Sequence, residues 1–139
     1  KIQRILLAAN KESKESEARL KLALEGSESG VWDWESSNPS IYQPRLASEL
    51  SYENETVSLD EYLSKIHPQD KQLFRLEWLE FLSTDKGYFN CTYRLRHAKG
   101  YWRWYKDCGK VVEWDANSPQ KVACTYTNMT RDMVFEEHA

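Results

Sequence analysis

Polar and apolar residues alternate singly through residues 88–96, where Phe89, Cys91, Tyr93 and Leu95 oppose Asn90, Thr92, Arg94 and Arg96. A period of two predicts a half-buried β-strand. His97-Ala98-Lys99-Gly100 reads as a four-residue turn, residues 101–114 as a long strand bent at Gly109, residues 115–119 as another turn, and residues 120–130 as a third alternating strand. Together they predict a three-stranded antiparallel meander. Upstream, Val31-Trp32-Asp33-Trp34-Glu35 alternates in the same way, Ser36-Ser37-Asn38-Pro39-Ser40 is a turn by composition, and Ile41-Tyr42-Gln43 resumes extended structure, giving a first hairpin.

Helical signals lie before and between these runs. Residues 1–25 lack Pro and Gly and are rich in Ala, Leu, Lys, Glu and Arg, which predicts one long helix or two. A heptad frame puts Leu6, Ser13 and Leu20 at one seam position and Ala9, Ser16 and Ala23 at the other, so the seam is apolar only at its ends. It fits either a solvated connector or a helix that pairs with its copy. Gly26-Ser27-Glu28-Ser29-Gly30 then breaks the helix. Residues 44–52 are short and helical in pattern, and Ser58-Leu59-Asp60-Glu61 is a capping box ahead of a two-turn helix. His67-Pro68-Gln69-Asp70 opens a longer helix running to about Ser83 or Thr84, with Leu73, Phe74, Glu77, Trp78 and Phe81 near the helical period. Five strands with so few helices predict an α+β domain in which the helices cover one sheet face and leave the other open.

A chain of 139 residues suits one domain, and 40% hydrophobic with 29% charged residues describes a folded one. The stretch from Cys91 to Trp114 interleaves rings with basic groups, as a nucleic-acid platform would, but the net charge of −3 lacks the basic excess that phosphate neutralisation requires. Any basic patch must therefore be local, and the alternation offers two sheet strands as the other reading of that stretch. Cys91, Cys108 and Cys124 are odd in number, show no CxxC spacing and predict free thiols in a reducing cytoplasm. No apolar run approaches the roughly 18–20 residues that span a bilayer, so no membrane contact is expected of this segment. The chain starts without Met and reads as a fragment of a longer protein, which leaves room for a membrane anchor elsewhere.

Catalytic patterns are not evident. His97 and His138 have no nucleophile or acid at useful spacing, no order of Ser, His and Asp suggests a triad, and no phosphate loop occurs. Asp33 and Glu35 share a strand face but look like ordinary solvated residues. No enzymatic activity is expected of this chain.

Four stretches, in order and at the right spacing, resemble the PAS domain with a PAC motif found in bacterial signalling proteins: "ALEGSESGVWDWE" (23–35), "KIHPQD" (65–70), "YRLRHAKGYWRWYKDCGKVV" (93–112) and "TYTNMTRD" (125–132). The resemblance covers about residues 22–130 and implies a five-stranded antiparallel sheet with helices on one face, preceded by an N-terminal helix. It divides the chain into a linker helix (1–25), the sensor domain (26–131) and the start of a C-terminal linker (132–139).

The resemblance further implies a ligand seat between sheet and helices, with Trp32, Trp34, Tyr42, Leu63, Phe74, Trp78, Phe89, Tyr93 and Trp104 as its candidate wall, unless these rings only pack on one another. Signal exit is implied at Asn128, Met129, Thr130 and Arg131, where Asn128-Met129-Thr130 replaces the Asp-Ile-Thr type of triplet found in many relatives. Neither haem nor flavin is expected: His67 stands at a helix start where it can cap or pack, and the reactive cysteine of the light-sensing relatives has no counterpart before Cys91. The function implied is a sensory input module that binds a small ligand or partner and relays its state to an output domain such as a diguanylate cyclase or histidine kinase. The alternative is a ligand-free dimerisation or protein-interaction module. A homodimer through the N-terminal helix or the open sheet face, and a cytoplasmic location, belong to the same expectation.

Overall fold

The computed structural model describes residues 14–19, 22, 26, 28–83 and 87–133. Residues 14–19 are helical, and the rest of the heptad seam predicted around Leu6, Ala9, Leu20 and Ala23 lies outside the described residues. The chain then runs β1 (Ser29–Glu35), β2 (Ser40–Tyr42), α1 (Pro44–Leu50), β3 (Thr56–Ser58), α2 (Leu59–Ser64), α3 (Pro68–Ser83), β4 (Phe89–Arg96), β5 (Trp102–Asp115) and β6 (Ser118–Asn128).

Local chemistry accounts for the boundaries. Pro44 begins α1 and Ser51 ends it in the left-handed conformation, with φ 59°. Ser58 Oγ accepts the backbone N–H of Glu61 at 3.1 Å, which is half of the expected capping box and starts α2. Pro68 opens α3 with Asp70 in its first turn.

The strands form one antiparallel sheet ordered β3-β2-β1-β6-β5-β4. It has six strands rather than the expected five, because Thr56–Ser58 pairs with β2 as a short edge strand. Three residues leading straight into a capping box are too few for alternation to show. The irregularity expected at Gly109 lies elsewhere: pairing continues through Gly109 on both sides, and the register slips later, between Val111, Glu113 and Trp114. Gly109 instead makes room, since a Cβ there would lie 2.2 Å from Cys124 Sγ.

The helices pack on one sheet face, as expected. β1, β4, β5 and β6 send Trp32, Trp34, Phe89, Tyr93, Leu95, Tyr105 and Tyr126 into a single core with Leu46 and Leu50 of α1, Tyr62 and Leu63 of α2, and Phe74, Trp78 and Phe81 of α3. The other sheet face carries exposed Val31 and Val112.

Candidate functional site

Between the sheet and α2 and α3 the interior is built from rings. Trp32 of β1 lies 5.6 Å from Trp78 and 6.0 Å from Tyr62, and Trp34 meets Trp78 edge-on at 5.5 Å. Phe74 lies edge-on to Tyr93 at 4.8 Å and to Phe89 at 5.3 Å. These tilted and edge-to-face contacts are the arrangements ring quadrupoles favour. A cleft of about 200 Å³ opens between α2 and α3 and reaches Leu63, Phe74 and Trp78 from outside. A larger and more polar groove, about 430 Å³, runs past Tyr52, Asn54, Glu61, Lys65, Arg96 and His97.

A carboxyl group stands in the middle of this aromatic interior. Asp107 of β5 is completely buried, directly opposite Cys91 of β4 and Tyr126 of β6. Its Oδ2 accepts from Trp32 Nε1 at 3.2 Å and from Tyr93 Oη at 2.6 Å, and the Tyr93 hydroxyl is in turn hydrogen-bonded to that of Tyr62. Oδ1 has no hydrogen-bond partner among the described residues. Burial among rings pushes the Asp107 carboxyl up to about 7, against the two hydrogen bonds that favour its charge. Burial and the neighbouring Asp107 likewise push the Tyr62 and Tyr93 hydroxyls well above the usual tyrosine range.

A second polar assembly ties α3 to the sheet. Partial burial would push the Asp70 carboxyl up, but hydrogen bonds from Arg94 prevail and hold it below the usual carboxylate range. Asp70 Oδ2 accepts from Arg94 N at 2.9 Å and Nε at 2.8 Å, and Oδ1 accepts from Nη2 at 2.9 Å. The Arg94 guanidinium lies 4.7 Å from the ring centre of Trp104, its directly opposed neighbour on β5. Trp104 holds the chain exit: its N–H donates to Thr130 Oγ1 at 2.9 Å, and its carbonyl accepts from Met129 N at 2.7 Å. Asn128 Oδ1 accepts from Thr130 N at 3.0 Å, at the start of the helical turn that follows. One chain of contacts thus leads from α3 through Asp70, Arg94 and Trp104 to the exit.

Of the candidate wall residues, Trp32, Trp34, Leu63, Phe74, Trp78, Phe89 and Tyr93 come together in the interior. Tyr42 and Trp104 do not. Tyr42 pairs with Asp33 on the outer face and is 48% exposed, while its neighbour Ile41 turns inward. Trp104 also lies on the outer face, because the inward residues of β5 are Tyr105, Asp107, Gly109 and Val111. His67 sits at the start of α3, where its Nδ1 accepts the backbone N–H of Gln69 at 3.1 Å and its ring lies 4.6 Å from Trp102. Asp107 was not among the expected site residues, although it shares the phase of Tyr105 and Val111.

Known proteins share this architecture. A sensory box histidine kinase/response regulator from Burkholderia thailandensis superposes with a TM-score of 0.71 at 22% identity, over 86% of this chain and 91% of that one. The N-terminal domain of a diguanylate cyclase with PAS/PAC sensor from Marinobacter aquaeolei gives 0.66 at 15% identity, over 76% and 98%. A domain of the putative light and redox sensing histidine kinase from Haloarcula marismortui gives 0.60 at 18% identity, over 81% and 99%. No curated protein sequence matches the chain. Residues 44–126 match the PAS fold family across more than half of the chain, and the protein belongs to that family.

Proposed function

We propose that this chain is the sensory input module of a signalling protein. A small molecule or partner received between the sheet and α2 and α3 biases the sheet, and the bias leaves through Arg94, Trp104 and Asn128, Met129, Thr130 and Arg131. The output domain is of the diguanylate cyclase or histidine kinase type named for the similar structures. The observation that carries this reading is the double attachment of the exit to the Trp104 backbone, through Thr130 Oγ1 and Met129 N, which couples it to the strand bearing Asp107. Residues 26–131 act as the sensor, with residues 1–25 and 132–139 as connectors. Among the described residues no helix is long and apolar enough to cross a membrane, and we place the module in the cytoplasm.

A second reading has its own support. The interior rings are nearly or fully buried against one another, while Val31, Trp102, Val112 and Trp114 are exposed outside the core, which suits a ligand-free module that dimerises through the outer sheet face or the N-terminal helix. Native mass spectra of the chain over a range of concentrations, set beside its denatured mass, separate the two. Mass lost on denaturation supports the ligand sensor. A bare dimer supports the interaction module, and a bare monomer at every concentration counts against both.

A further inference from the structure

Among the described residues Asp107 is the one buried carboxyl, and the groups around it are uncharged at neutral pH. β4 presents Cys91 and Tyr93, β6 presents Cys124 and Tyr126, β1 presents Trp32, and α2 presents Tyr62. The core residues of α1 and α3, among them Leu50, Phe74 and Trp78, are apolar, and no charged residue of α1, α2 or α3 is buried. Among the described residues no cation therefore compensates a negative charge at this position. Both donors that reach the carboxyl, Trp32 Nε1 and Tyr93 Oη, bond to Oδ2, so a proton belongs on Oδ1, which has no partner among the described residues.

We propose that Asp107 is a proton-responsive switch: it is neutral in the closed core, and its ionisation loosens the seating of α2 and α3 on the sheet and is transmitted along β5 to the exit. This deepens the sensory reading above and rests on it, naming the proton as an input. The step balances simply. The O–H bond at Oδ1 breaks, the proton passes to water, and the electron pair stays on the carboxylate. The bare Oδ1 of the charged form then needs a donor, and water is the donor at hand. Water reaches it when the ring layer of Phe74, Trp78 and Tyr62 parts, and the cleft between α2 and α3 already opens onto Phe74 and Trp78. Asp107 and Trp104 belong to the same strand, three positions apart, so strain at the one is felt at the anchor of Met129 and Thr130.

The test follows the Asp107 carboxyl carbon by NMR from pH 5.5 to 8.5, together with amide exchange at residues 128–133 corrected for the intrinsic pH dependence. The expected result is a titration near neutrality, with exit protection falling at least threefold across it and no such change in Asp107→Asn. The wild-type titration stands even if that variant does not fold, and Tyr93→Phe, which removes a donor to the charged form, moves it upward. A carboxyl already ionised at pH 5.5 or still protonated at pH 8.5, or exit protection that varies alike in wild type and Asp107→Asn, overturns the switch. Neither result touches the sensory reading, which the mass measurement decides separately.

Discussion

Replacing Asp70 by Ala removes a three-point attachment between the first turn of α3 and β4. Three hydrogen bonds from Arg94 are lost, one from the backbone and two from the guanidinium. Hydrogen bonds to a charged group contribute about 1.5–3 kcal/mol when well buried. Here the side chains of Arg94 and Asp70 retain 20% and 16% exposure, so water replaces part of the loss. A total of about 2 kcal/mol is the reasonable sum, including a few tenths from the helix dipole. With a urea m-value of about 1.5 kcal/mol/M, the midpoint falls by roughly 1.3 M at unchanged slope. Because the folded carboxyl titrates below its ordinary value, its contribution is fully present above about pH 4 and is lost as pH falls through the lower folded value. The deficit of Asp70→Ala is therefore full at pH 7 and shrinks in acid. A midpoint within about 0.2 M of wild type at pH 7, on an m-value near 1.5 kcal/mol/M, would refute the attachment.

Trp78→Ala opens a cavity beneath Trp32, Trp34 and Phe89, and a loss of about 3–5 kcal/mol is expected by chemical denaturation with a weakened near-ultraviolet circular dichroism signal. Gly30→Ala places a Cβ 2.2 Å from the hydroxyl of the buried Tyr126 ring, so thermal denaturation should show a loss of about 1–3 kcal/mol. With a colorimetric thiol reagent at pH 8, exposed Cys108 should react promptly and alone, because Cys91 and Cys124 are buried and burial pushes the Cys91 thiol up to about 12.

Much of the fold was legible because alternation and end signals agreed. In β4, Phe89, Cys91, Tyr93 and Leu95 all turn inward as their period demands, and Ser58 and Pro68 mark the starts of α2 and α3. The site was less legible because phase is a weaker signal than period. On β5 the two large rings Trp102 and Trp104 suggest the inward phase, yet the inward set includes Tyr105, Asp107, Gly109 and Val111. A strand shifted by one residue exchanges its faces completely. Trp104, which the resemblance puts on the ligand wall, therefore stands outside, and Asp107 stands inside. Only the register against β4 and β6 resolves the choice. A similar ambiguity misplaced Tyr42, since three residues of β2 leave Ile41 and Tyr42 almost equally eligible.

β4 stops pairing with β5 at Phe89 and Gly109, whereas β5 continues with β6 to Asp115. From Lys110 onward β5 therefore has a neighbour on one side only among the described residues, and a row of backbone donors and acceptors faces outward. Such an edge invites a strand from another molecule. Lys110, Glu113 and Asp115 place charges along it, and the register slips around Glu113 spoil the straight geometry that an incoming strand would need. This margin of the sheet thus carries two guards against fibre-like stacking, and neutralising those charges would leave only the irregular register.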